Sequence, residues 1–179
     1  MKLQGCITAL VTPFAPDGAV NFQKLGELLE FQIAGGADAV LVLGTTGEAA
    51  TTSREEDDAV CRFAVERVAG RVPVIAGSGS NSTRTMLEKS LRYQRLGADG
   101  LLLVAPYYNK TNPRGMYLHF AAVADAVEIP CLLYNVPGRT GCAIPEEVVA
   151  ELAAHPNIAG IKEASGDLGY ASRIARHLG

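Results

Sequence analysis

The sequence predicts an α/β fold, a (β/α)8 TIM barrel truncated after about six βα units, on three observations. Short, nearly continuous apolar runs recur along the chain, as parallel strands buried on both faces require. Helix signals fill most of the gaps, and from the second run onward the starts lie roughly 26 to 35 residues apart, about one βα unit each. Unusual residues follow nearly every run: TP, GTTGE, GSGSN, PYYN, YNVPGRTG and KEASG. In a barrel those strand ends converge on the face that carries the active site. An open sheet gathers only the ends near its switch point. No G-x-G-x-x-G follows the first run, and there is no Walker motif.

The expected strands are GCITALVTP, ADAVLVLG, VPVIAGSG, ADGLLLVAP, IPCLLYNVP and IAGIKEAS. The first could pass for a short signal peptide, but its single lysine and the lack of an A-x-A-like cleavage site favour a strand. Asn21 is placed to cap a helix with Phe22, Leu25, Leu28 and Leu29 on one side, ending at Gly35-Gly36. Ser53 and Glu56 form a capping box for a helix past Val60, Phe63 and Ala64 that stops near Gly70. Another helix starts after Asn81 and stops at Gly97. Pro145 suits the first turn of a helix over EEVVAELAAH, ending at Pro156. One domain over 1–179 is expected, lacking the last two barrel strands and any C-terminal helical extension, with the sixth helix cut at IARHLG.

Of 179 residues, 48% are hydrophobic, enough for a sizeable core; a net charge of −3 without a basic cluster points away from nucleic acid and anionic membranes. No apolar run reaches the roughly 18 residues of a membrane span. Cys6, Cys61, Cys131 and Cys142 show no paired or metal spacing and read as free thiols of a reducing cytoplasm. The three histidines are scattered, so the expected chemistry runs without a metal.

Lys162 stands in the apolar stretch NIAGIKEASG, which reads as a buried strand. A strand-end lysine ordinarily snorkels to solvent or pairs with a neighbour, here Glu163. Among apolar and small residues it is instead a candidate amine nucleophile, because desolvation lowers its pKa. Tyr134 ends the preceding strand and is a candidate for the proton transfers that a Schiff base needs; alone it could equally be a core aromatic. In GTTGE, Gly44 and Gly47 could let backbone approach a ligand, with Thr45 and Thr46 holding a small carboxylate; alone this is a plain turn. Arg139 in PGRTG can clamp a second carboxylate, although most such arginines are surface residues. Together these residues suit enamine formation from a 2-oxo acid, followed by making or breaking a carbon–carbon bond.

GTTGE, PYYN, YNVPGRTG and GIKEA, in this order and spacing, resemble the dihydrodipicolinate synthase family, within the pyruvate-dependent class I aldolases that include N-acetylneuraminate lyase. The likeness runs from ITALVTPF to KEASGDL. It implies condensation of pyruvate with aspartate 4-semialdehyde in lysine and diaminopimelate biosynthesis, no cofactor, a cytoplasmic enzyme, and a homotetramer of tight dimers. By this resemblance Lys162 is the Schiff-base lysine, Tyr134 the proton donor and Thr45 the relay threonine. Tyr108 is the relay tyrosine that a neighbouring subunit receives, Thr46 contacts the pyruvate carboxylate, and Arg139 holds the semialdehyde carboxylate. Another pyruvate aldolase acting on sialic or keto-deoxy sugar acids, and a catalytically silent binding homologue, remain open. Asn81 and Tyr107 match effector contacts of lysine-sensitive members, but Arg54, Asp57 and Thr85 stand where those carry two histidines and a glutamate.

Overall fold

The computed structural model describes residues 3–177. Met1 and Lys2 of the first-strand reading, and Leu178 and Gly179 of the sixth helix, lie outside the described residues. All six expected strands are present: β1 (Ile7–Ala9), β2 (Ala39–Val42), β3 (Val74–Gly77), β4 (Gly100–Val104), β5 (Cys131–Asn135) and β6 (Ile158–Glu163). Seven helices accompany them among the described residues: α1 (Phe22–Ala34), α2 (Arg54–Val68), α3 (Thr83–Arg95), α4 (Pro113–Ala124), α5 (Pro137–Thr140), α6 (Glu146–Ala153) and α7 (Leu168–Ala175). The architecture is the expected α/β one, carried through six successive βα units. The chain forms two compact units, one from the residues up to Gly77 with Arg92–Leu101, the other from Ser78–Leu91 with everything from Leu102 on.

In the first unit, β1, β2 and β3 run parallel, with Thr8 opposite Val40 and Leu41 opposite Ile75. Every residue of β2 and β3 is buried, as the continuous apolar runs require. Two Gly-Ala-Asp turns repeat one device. The Asp38 carboxylate accepts from Cys6 N at 2.7 Å, and the Asp99 carboxylate from Val74 N at 2.8 Å, so each aspartate ties its own strand start to the strand before it. Asn21 caps α1 by accepting from Lys24 N, and Ser53 and Glu56 complete the capping box of α2. Leu25 and Leu29 of α1, and Val60, Ala64 and Val68 of α2, are buried. Asp57 is also buried; it accepts from the Thr52 hydroxyl at 2.7 Å and the Tyr93 hydroxyl at 3.1 Å.

In the second unit β5 and β6 run parallel with one irregularity. Cys131 lies opposite Ile158 but Leu132 opposite Gly160, so Ala159 is an extra residue in β6. Beyond this bulge Tyr134 faces Lys162 and Asn135 faces Glu163. Met116 and Phe120 of α4, Leu133 of β5, and Val149 and Leu152 of α6 make the buried core. Asn112 caps α4, with Pro113 at its first position. Pro145 is the N-cap of α6, outside the first turn expected for it: its ψ of 148° is extended, and the helix starts at Glu146.

The expectation that IAGIKEAS is buried is corrected. Only Ile158 of β6 is buried, and Ala159 and Lys162 are exposed. Among the described residues β6 has a hydrogen-bonded neighbour on one side only, β5. A strand so placed keeps solvent at positions that a strand paired on both sides covers.

Candidate active site

The ends of β5 and β6 bring two candidate residues together. Tyr134 and Lys162 are register partners on parallel strands, so their side chains leave the same face. Lys162 Nζ lies 4.3 Å from the centre of the Tyr134 ring. Lys162 makes no ion pair among the described residues; Glu163, its expected alternative partner, instead accepts from Asn135 Nδ2 and Ser165 N. Partial desolvation pulls the Lys162 amine below the ordinary lysine pKa. The ring face, which attracts the ammonium form, acts in the opposite sense. Partial burial of the side chain is therefore what favours the neutral amine. The Tyr134 ring is 6% exposed, and its hydroxyl has no hydrogen-bond partner among the described residues, so it remains available to a ligand.

Arg139 lies in α5, a four-residue turn between β5 and the approach to α6. Thr140 anchors this turn, its hydroxyl donating to the carbonyls of Val136 at 3.2 Å and Cys142 at 2.7 Å. The Arg139 side chain is exposed and makes no ion pair among the described residues. Tyr108 is 92% exposed and adopts φ 69°, in a three-residue turn closed by Asn109 N donating to Tyr107 O at 2.8 Å. A non-glycine residue there carries strain of about 1–2 kcal/mol. Asn109 Nδ2 donates to Asn81 O at 3.1 Å and steadies the turn.

Thr45 and Thr46 belong to the first unit and extend exposed side chains from the loop after β2. The reading of Gly47 is corrected. A Cβ on Gly47 would stand 3.2 Å from Leu10 O, 3.2 Å from Leu43 N and 3.3 Å from Thr12 Oγ1, so the protein's own backbone, not a ligand, requires glycine. A Cβ on Gly44 would meet only Leu41, at 3.5 Å. The N–H groups of Gly47 and Glu48 are taken up by Gly44 O and Thr45 O. Thr12, buried at the TP strand end and not singled out from the sequence, donates its hydroxyl to Gly47 O at 2.7 Å and braces the loop.

The cysteines are free thiols, and burial pushes those of Cys61 and Cys131 up to about 12, which keeps them protonated and inert. No group of three or more His, Cys, Asp or Glu side chains among the described residues could hold a metal ion. No helix of the described residues is long and apolar enough to cross a membrane.

The sequence model described as the dihydrodipicolinate synthetase family matches residues 2–179. The chain belongs to this family. The 4-hydroxy-tetrahydrodipicolinate synthase of Geotalea uraniireducens is 56% identical over 171 residues, 96% of this chain and 59% of that protein. The chloride-inhibited dihydrodipicolinate synthase of Acinetobacter baumannii complexed with pyruvate superposes with a TM-score of 0.95 at 45% identity, over 98% of this chain and 60% of that one. The enzyme of Cyanidioschyzon merolae with lysine bound gives 0.94 at 44%, over 97% and 60%. The chain thus spans about 60% of the length of these dihydrodipicolinate synthases.

Proposed function

We propose that the protein condenses pyruvate with L-aspartate 4-semialdehyde to 4-hydroxy-tetrahydrodipicolinate through a Schiff base on Lys162. The observation that carries this reading is the register pairing of Lys162 with Tyr134, in a member of the dihydrodipicolinate synthetase family. The neutral amine adds to the pyruvate ketone, and the resulting carbinolamine loses water to give the iminium. Loss of a methyl proton gives the enamine, whose carbon attacks the aldehyde of the second substrate. The amino group of the condensed semialdehyde then adds to the iminium carbon and expels the Lys162 amine, which closes the ring of the product and frees the lysine. The iminium nitrogen is the electron sink, so the sequence of steps needs no cofactor.

Tyr134 moves the protons, with Thr45 and Tyr108 completing the relay. Thr46 holds the pyruvate carboxylate, and Arg139 the semialdehyde carboxylate. The free Arg139 side chain supports its role, because an arginine already paired would have to break a bond first. The strained and almost fully exposed Tyr108 supports presentation to a second copy of the chain. The same reading brings with it a single barrel domain over 1–179, a homotetramer of tight dimers and a cytoplasmic location.

Borohydride reduction in the presence of pyruvate tests the covalent step. A pyruvate-derived mass is expected on the Lys162 peptide and should vanish in Lys162→Ala. A label on Lys110 would overturn the assignment. Retro-aldol cleavage of sialic or keto-deoxy sugar acids, with no turnover of the semialdehyde, would move the protein to another aldolase of the same type.

A further inference from the structure

One buried carboxamide connects the two parts of the second unit that carry Lys162 and Arg139. Asn135 is fully buried at the end of β5, directly after Tyr134. Its Nδ2 donates to Glu163 Oε2 at 2.6 Å, one register step beyond the Tyr134–Lys162 pair. Its Oδ1 accepts from Ile144 N at 2.9 Å, and its backbone carbonyl from Ala164 N at 2.9 Å. The other Glu163 oxygen accepts from Ser165 N. Ile144 O in turn accepts from the Tyr170 hydroxyl of α7 at 2.7 Å. Only one orientation of the amide satisfies both partners, because Ile144 N can only donate and the Glu163 carboxylate can only accept.

Strand alternation separates this network from the reacting groups. Tyr134 and Lys162 leave one face of the pair, and Asn135 and Glu163 the other. Asn135 therefore cannot touch a substrate held at Lys162. It fixes the β6 strand end against β5, and the segment returning from α5 against the same strand.

We infer that Asn135, with Glu163 as its acceptor, is a positioning residue for the Lys162 amine and the Arg139 turn. The inference rests on the reading of Lys162 as the nucleophile.

The donors and acceptors permit a swap test. Asn135→Asp sets a buried carboxylate against the half-buried one of Glu163, and the two repel unless they share a proton. Glu163→Gln leaves the side chain one acceptor oxygen for Asn135 and Ser165 N together. In the double variant Asn135→Asp/Glu163→Gln the direction of the bond reverses. The introduced glutamine donates to the introduced aspartate and still accepts from Ser165 N, while that aspartate still accepts from Ile144 N. Net charge equals that of the wild type.

Two readouts are compared across the four proteins: the rate of borohydride trapping of pyruvate, and the pH midpoint for acylation of Lys162 by acetic anhydride, read by peptide mass. Asn135→Asp is expected to slow trapping by between about tenfold and hundredfold, as a misplaced reacting group does, and to raise the acylation midpoint. The double variant is expected to recover most of both. If Asn135→Asp fails to fold, the double variant against Glu163→Gln makes the same comparison. Single variants that match the wild type overturn the inference, as does a double variant no better than either single one. A wild type that traps no pyruvate, with the midpoint shift and its recovery intact, removes the proposed function and leaves the positioning role standing.

Discussion

Replacing Gly77 with alanine should destabilise the first unit and disturb the loop that carries Thr45 and Thr46. Gly77 ends β3. A Cβ built on it would lie 2.2 Å from Leu43 O, 2.7 Å from Leu43 C and 3.1 Å from Gly44 Cα, all of them backbone atoms. Against an ordinary contact near 3.4 Å, the carbonyl must retreat by about 1.2 Å. Overpacking costs about 1–3 kcal/mol where side chains can give way. Here the obstacle is the main chain of Leu43, itself at φ 57° and already strained. We therefore expect a loss of about 3 kcal/mol or more, a large share of a domain's stability. Urea unfolding followed by circular dichroism should show a lower midpoint at unchanged slope. Gly138→Ala is the control: nothing lies within 4 Å of its Cβ position, its φ is ordinary, and it should be neutral or gain about 0.5 kcal/mol. Because Leu43 and Gly44 lead directly into Thr45, pyruvate trapping should also slow in Gly77→Ala. A change within about 1 kcal/mol of the wild type, or a larger loss from Gly138→Ala, would refute the packing argument.

Arg139→Ala should leave the pyruvate adduct intact but weaken use of aspartate semialdehyde by about 2 kcal/mol; equal loss with both substrates would make Arg139 structural. The lowered Lys162 pKa means that its neutral amine persists to lower pH in the folded protein, so its acylation midpoint should lie below that of the same residue in the urea-unfolded chain, and coincident midpoints would contradict the desolvation argument. By linkage, a lysine whose folded pKa lies below its unfolded one binds fewer protons folded. Its contribution to stability should rise with pH between the lowered value and the ordinary value of 10.5, and Lys162→Met should flatten that rise. Inhibition by lysine should be weak, because Thr85 offers no anionic contact to the ligand ammonium and Asp57 is buried against Thr52 and Tyr93; tight inhibition in a calorimetric titration would count against this.

The strands were legible because Val40, Ile75 and Leu103 sit in runs apolar enough to need cover on both faces, and the α1 and α2 starts because Asn21 and Ser53 are caps with their partners at the right spacing. Lys162 and Tyr134 were legible as strand-end residues on successive strands. That they are neighbours followed from this; their exact register did not, since it depends on the bulge at Ala159, which leaves no periodic trace in so short a strand. The exposure of Lys162 was hidden for a related reason: an apolar run records what a strand can bury, while its neighbours decide what it does bury. The role of Gly47 was misread because a close approach looks the same in sequence whether the approaching group is a ligand or Leu10 O. Helix α4 carried an Asn-Pro start that the reading passed over. The paired Asp38 and Asp99 turns could have been found as a repeated Gly-Ala-Asp before alternate strands. Asn135 gave no signal of its own, standing inside a motif whose other members carry the chemistry.

The extra residue in β6 makes that strand a reading frame. Ala159 is exposed and adds nothing to the core, and substituting its side chain should cost little. Its place outside the ladder is a different matter. Were β6 regular, with Ala159 paired opposite Leu132 and Ile158 kept opposite Cys131, Ile161 would oppose Tyr134 and Lys162 would oppose Asn135. Because successive side chains leave opposite faces, the amine would point away from the tyrosine ring, into the place where Asn135 now meets Glu163. Loss of Ala159, by contrast, would close the bulge and leave Tyr134 opposite Lys162, so the bulge lets this strand carry one residue more than its partner without misplacing the amine.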